Sequence, residues 1–528
     1  MATDFTGAQY GADEVLAGIK RNQITGVPPK NMKTFTVQGN GSGSLKITVK
    51  AEDTVIDDQL ICSVKGVTVV RKTGSAPASI DDGTVVFTHN GTSTYVYEDD
   101  DLENGTTYYY RAFPFSDHGV YNLNSENIKS GTPSAIKFWA FDQDFTNGDP
   151  ASCITYPAGY ENSEFDPMLT NEGTGTATAG GWGDFLTDTL KNLPYMVGED
   201  GVADYQLDPT DYSKKAEDGT ASDYNNTSYN GGAFAWINKI YMKEEYAQDG
   251  NSRRVIFADG AYEGFEAVGF NDGEDELEGI WIPMGYMDAN GRVLVAGTTP
   301  VASKTCDQEW AIIQGKGTRS RFLGGPILNV LRDLMYMMFK NTDIQARAGH
   351  GRCSAGSQQV INNAKVDNGN VVGWKGTAAA TKALNKYFHS QVLGSYQQYL
   401  RDPYTLLISG QVYACDDYSY ALSTTGKKAT GKTWGTSSAW NYPKKLEYLG
   451  AGLGSLPKYE NTGTTATGLC DGVYGNTSGT RVAHRLGACF GELADGPACV
   501  SLNNEASTAD WACGVGRALL PSAGYAPA

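Results

Sequence analysis

Three cysteines fall within 25 positions near the carboxyl end, each just after an alanine, at Ala488-Cys489, Ala498-Cys499 and Ala512-Cys513. A thiol does chemistry as its thiolate, which needs a base or a cation nearby to lower its pKa. These three are flanked instead by Gly, Phe, Pro, Val and Trp. With Cys470 they are separated by 18, 9 and 13 residues, which is no standard zinc pattern. The histidines, His89, His118, His350, His389 and His484, have no second histidine or cysteine at ligand spacing and read as loop or core side chains. Carboxylates concentrate in EDDDLENG (Glu98–Gly105) and NDGEDELEG (Asn271–Gly279), but neither follows the alternating EF-hand order. Both are expected to be solvated acidic loops, and a structural calcium is left open. No GxSxG, Walker A or strand-borne GxGxxG occurs. No catalytic residue, metal or cofactor is expected.

The chain of 528 residues is long enough for two to four domains. Its 64 glycines, 31 tyrosines and 19% charged residues suit β-strands joined by tight or irregular loops. A net charge of −18 argues against nonspecific nucleic-acid binding, which needs clustered Lys and Arg. The amino terminus, MATDFTGAQYGADEV, has neither the basic nor the apolar part of a secretory signal. The most apolar long segment, Phe322–Phe339, is interrupted by Arg332 and Asp333, so no membrane insertion is expected. Nine cysteines without a CxxC pair fit synthesis in a reducing cytoplasm.

These residues must be positioned by a multidomain, largely β framework. Residues 1–33 read as a virion-anchoring segment in the light of the resemblance below, with a short helix near Ala12–Arg21. From 34 to 135 the runs KTFTVQ, SLKITVKA, CSVKGVTVVRKT, GTVVFT, TYVYED and TTYYYRAFPFS are β-branched and aromatic, with turns between them. They predict a seven-strand sandwich. NGTTYYYRAFPFSDHGVYN resembles the penultimate strand of a fibronectin type III or immunoglobulin-like module. Residues 136–250 read as a β-rich intermediate region and 251–528 as the C-terminal domain. There, IWIPMGYM and EWAIIQG read as strands. Pro326–Lys340 reads as a helix with one apolar face, and a second helix is expected near Gly376–Leu400.

Tyr195–Gly219, together with VVRKTGSAP and GTTYYYRAFPF, resembles segments of tail-associated proteins of phages infecting Gram-positive gut bacteria. In the carboxyl end, the small-residue doublets are Ala488-Cys489, Ala494-Asp495, Ala498-Cys499, Thr508-Ala509 and Ala512-Cys513. The stretch of about 485–520 resembles the variable region of proteins diversified by phage and bacterial retroelements, where the adenines of AAC codons are randomised. Codons ending in C cannot encode Glu, Gln, Lys, Met or Trp. All ten doublet residues are reachable, while Glu492, Glu505 and Trp511 fall between doublets. Asn503-Asn504 fits either an unmutated doublet or fixed scaffold.

The resemblance implies an α+β C-type lectin-like domain after the Ig/FnIII-like sandwich. It also implies that the ten doublet residues form a ligand face on glycine-hinged loops, with Trp511, Gly514, Gly516 and Arg517 as its scaffold. Both members of a doublet cannot face one ligand from a regular strand, which favours turns. The function implied is virion adhesion to a host surface protein or glycan, without chemistry. Other virion proteins would be held through the N-terminal region, and a homotrimer would add avidity. Two expectations follow: replacing all ten doublet residues should spare folding, and Trp511→Ala should cost roughly 3–5 kcal/mol as a core loss. The competing classes are a surface polysaccharide depolymerase, a formylglycine-generating-type oxidase on a similar scaffold, and a non-binding decoration or baseplate protein.

Overall fold

The computed structural model describes residues 27–39, 42–56, 59–170, 177–354, 361–364 and 384–527. The helix expected at Ala12–Arg21 lies outside them. The chain divides into two compact units, one ending at Ile136 and including Gly260–Tyr262, the other comprising Lys137–Asp259 and Glu263–Ala528.

The first unit is a sandwich of three plus four strands. Thr34–Gly39, Leu45–Lys50 and Tyr95–Asp99 form one sheet; Thr84–Asn90, Val64–Thr73, Tyr108–Ser116 and Ile128–Gly131 form the other. Alternation places Leu45, Ile47 and Val49 inside, against Val67, Val69, Tyr110 and Ala112. Asp99 is buried and satisfied twice, by Arg71 Nη1 at 2.5 Å and by the Tyr110 hydroxyl at 2.7 Å. The strand Ile128–Gly131, absent from the six runs read in the sequence, supplies the seventh. Gly131 leaves room for Val37 and Leu45, 2.8 and 3.0 Å from where its Cβ would stand.

The second unit is mostly sheet around a main core that runs from Trp139 to Leu520, with a smaller cluster about Leu407, Trp434 and Val500. Residue 250 is therefore no boundary. Phe138–Asp144 pairs with Ser252–Ala258 across it. Ala203–Gln206, Pro194–Gly198 and Gly231–Asn238 share a six-stranded sheet with Gly279–Pro283, Arg517–Leu519 and Ser320–Phe322. A further sheet contains Lys428–Thr433, Gln411–Ala414, Tyr399–Ile408, Thr480–Arg485, Val500–Leu502 and Val473–Gly475, with Cys513–Gly514 running parallel to Tyr399–Leu400.

The helix Pro326–Phe339 is present, but all of it is buried, its polar face included. Arg332 and Asp333 are tolerated there because they pair at 3.0 Å, and Asp333 also receives Arg253 at 2.7 Å. EWAIIQ belongs to a helix, Cys306–Gln314, and not to a strand; Thr305 and Gln308 close a capping box at its start. Of the helix expected near Gly376–Leu400, the described part holds only Gln391–Gly394, and Tyr399 already begins a strand. Among the described residues no helix is long and apolar enough to cross a membrane.

Candidate functional site

Two loops leave the end of the strands Thr480–Arg485 and Val500–Leu502, and they carry every doublet residue except Cys513, which begins the strand Cys513–Gly514. The first, Leu486–Cys499, folds inward. The Asp495 carboxylate fills the space that side chains at Gly487 and Gly491 would need, 1.9 Å from a Cβ at either. Its Oδ1 accepts the Ala488 amide at 3.1 Å, and Asp471 Oδ2 accepts the Ala498 amide at 2.7 Å. Around these two acids Ala488, Cys489, Ala494, Asp495, Ala498 and Cys499 are all buried. The outward projection expected of these six side chains is corrected: they are small because the loop closes over its own carboxylate.

Two large residues of this loop do reach solvent, Phe490 at 43% and Leu493 at 48% exposure. The Phe490 ring lies 5.6 Å from Trp511 and 5.8 Å from Tyr399. Tyr399 continues to Trp440 at 6.5 Å, and Trp440 to Tyr474 at 5.5 Å. Tyr399, Trp440, Tyr474 and Trp511 are each half-buried. Trp511 is thus one ring of a surface aromatic patch and not a core anchor. The sequence carried a signal for this patch in FGEL, a large apolar pair set in a glycine-bearing loop, which an eye on the doublets passed over.

The second loop, Asn503–Ala512, is held by its main chain. Its carbonyl oxygens accept from Val482 N (Asn504 O, 3.0 Å), Cys306 N (Ala506 O, 2.9 Å), Ser303 N (Asp510 O, 3.1 Å) and Tyr399 N (Ala512 O, 2.8 Å). Arg401 Nη2 adds a fifth hold on Thr508 O at 3.1 Å, while its Nε lies 2.6 Å from the buried Glu309. Glu505, Ser507 and Ala509 remain exposed, and Asn503, Asn504 and Thr508 half-buried. Of the ten doublet residues only Thr508 and Ala509 keep access to solvent; Ala512 and Cys513 are buried, Cys513 within the sheet. Beside this loop runs a groove of about 490 Å³ lined by Thr305, Asp307, Leu422, Thr480 and Glu505–Ser507. Arg481 steadies Glu505 at 3.2 Å, and the Tyr420 hydroxyl donates to Asp307 at 2.6 Å.

The other residues singled out lie in the frame. A Cβ on Gly514 would stand 2.2 Å from Gln398 Oε1, and one on Gly516 3.0 Å from Leu323. Arg517 is buried against Glu199 Oε2 at 2.5 Å and Ser320 Oγ at 3.1 Å. All nine cysteines are free and buried. Burial pushes the Cys513 thiol up to about 12 and Cys499 well above its ordinary range, so neither is a nucleophile at neutral pH. His484 is buried and donates through Nδ1 to Val482 O, its pKa lowered to about 3 by burial and by Arg401. In the acidic run after Asn271, Glu276 is taken up by Lys239 and Tyr241. Among the described residues no three His, Cys, Asp or Glu side chains gather in a group that could hold a metal.

No protein-family model matches the chain, and no curated protein does. Among solved structures it is similar to a solution structure of the fourth FNIII domain of human, at 20% identity and a TM-score of 0.17. That match covers 25% of this chain and 92% of the other. The sandwich stands on its own strand pairing.

Proposed function

We propose that the chain is a phage virion adhesin whose second unit, a C-type lectin-like scaffold, presents a diversified face to a host surface protein or glycan. The observation that carries this is the Asn503–Ala512 loop, pinned through main-chain carbonyls while Glu505, Ser507 and Ala509 stand exposed. A loop held that way accepts new side chains without losing its course, which a variable binding surface requires. The adjoining Phe490, Leu493 and Trp511 supply the aromatic and aliphatic anchors that dominate binding energy at interfaces. In this account the buried doublets act from beneath, since a change at Ala488 or Ala494 shifts the loop that carries Phe490 and Leu493. The N-terminal region would join other virion proteins, and a homotrimer would multiply weak contacts.

Retention of the purified protein on intact host cells tests the proposal. Phe490→Ser with Leu493→Ser is expected to lower retention about tenfold or more while leaving the melting temperature unchanged. Unchanged retention by that pair, and by a variant with Glu505, Ser507 and Ala509 all replaced, would overturn it.

A further inference from the structure

Asp471 and Asp495 are both fully buried, each with one oxygen on a backbone amide, and Asp495 Oδ2 has no hydrogen-bond partner. Among the described residues neither carboxyl group has a Lys, Arg or His within salt-bridge distance. Facing Asp495 are Asp471, Glu492, the thiols of Cys353 and Cys499, and the phenols of Tyr286, Tyr396, Tyr399 and Tyr442. Facing Asp471 are Asp343, Asp495, the thiols of Cys470 and Cys499, the phenols of Tyr336, Tyr387, Tyr396 and Tyr442, and one cation, Arg332. Arg332 is committed elsewhere, to Asp333 through two nitrogens at 3.0 Å and to Ser455 O at 2.8 Å. Arg352 faces Cys489 and Tyr286. Glycine at 487, 491 and 496 leaves the carboxyl groups their space, with Cβ positions only 1.9 to 2.1 Å away. Among the described residues one backbone amide apiece is all that replaces the lost hydration of an ionised carboxylate here.

We propose that Asp471 and Asp495 close the Leu486–Cys499 loop in their protonated form, so that rising pH opens the loop and withdraws Phe490 and Leu493 from the surface. Burial holds both carboxyls well above their ordinary range, with each other's charge a smaller contribution at Asp495. A folded-state pKa above the unfolded one means that this closure is complete below about pH 4 and is lost as pH rises through the folded value. His484 works in the opposite direction. Its folded pKa of about 3 makes acid destabilise the strand beside it, so a global melting curve mixes the two effects.

A local measurement separates them: hydrogen exchange of the Ala488, Asp495 and Ala498 amides in the full chain, corrected for intrinsic rates, from about pH 5 to about pH 9. Wild-type protection is expected to fall by about tenfold per pH unit once either acid ionises. The amides of Cys306 and Val482, which hold the neighbouring loop, should stay level. Asp495→Asn and Asp471→Asn keep the accepting carbonyl and should each remove part of the pH dependence. Flat wild-type protection would overturn the proposal, and so would an unchanged slope in both variants. If a variant fails to fold, the wild-type profile decides alone. As a control on the binding face this inference rests on the adhesin reading, but the exchange needs no receptor, and cell retention can be scored at one acidic pH. Failure of either is therefore distinguishable.

Discussion

The loops Leu486–Cys499 and Asn503–Ala512 each carry three alanines, and they differ in what holds them. The first adds side-chain fastening to main-chain bonds such as Glu492 N to Cys353 O at 2.9 Å: Asp495 and Asp471 reach backbone amides across glycines that have no room for a Cβ. The second is fastened chiefly by its own carbonyl oxygens, with one side chain, Asp510, accepting the Ala512 amide at 2.8 Å. Side-chain fastening ties the course of a loop to residue identity, and main-chain fastening frees it. The second loop is therefore the better place for variable contacts, and the first the better place for a conformational device.

The largest expected effect attacks the second loop's support. Arg401→Ala removes the hold on Thr508 O and leaves Glu309 buried without a cation, costing about 3–5 kcal/mol in chemical denaturation. Next comes overpacking of the first loop. Ala498→Leu should cost roughly 1–3 kcal/mol, so the expectation that all ten doublet positions tolerate replacement fails at the buried eight. Trp511→Ala, at a half-buried ring, should cost less than the roughly 3–5 kcal/mol of a core tryptophan and should weaken cell retention more than stability. Smallest are Glu505→Ala, Ser507→Ala and Ala509→Lys, each expected within about 0.5 kcal/mol of wild type. A large loss at any of these three would erase the contrast between the loops. On the pH axis, His484→Gln should reduce the stability lost as pH falls from about 6.5 toward 3, because the buried imidazole resists protonation.

What was legible in the sequence had local causes. Strict alternation in Leu45–Lys50 and the tyrosine-rich Tyr108–Ser116 announced the sandwich, and apolar periodicity announced Pro326–Phe339. The short apolar run in EWAIIQ fits strand and helix alike, and the Thr305 cap decided for helix. The unity of the second unit rests on pairings such as Trp281 with Leu519, whose sequence separation no local pattern reveals. At the site, glycines and a proline around the doublets marked irregular backbone but not its direction. That direction follows from Asp495 folding back on Gly487 and Gly491, a contact visible only in three dimensions.

The most direct test of the contrast uses thiol reactivity, because every native cysteine is buried. In the native wild type, Cys489, Cys499 and Cys513 should resist an aqueous thiol reagent near neutral pH until the protein is unfolded. A cysteine placed by Ser507→Cys or Ala509→Cys should react at once, one per chain. Rapid labelling of Cys489 or Cys499 in the folded wild type, or a protected thiol at 507 and 509, would contradict the account.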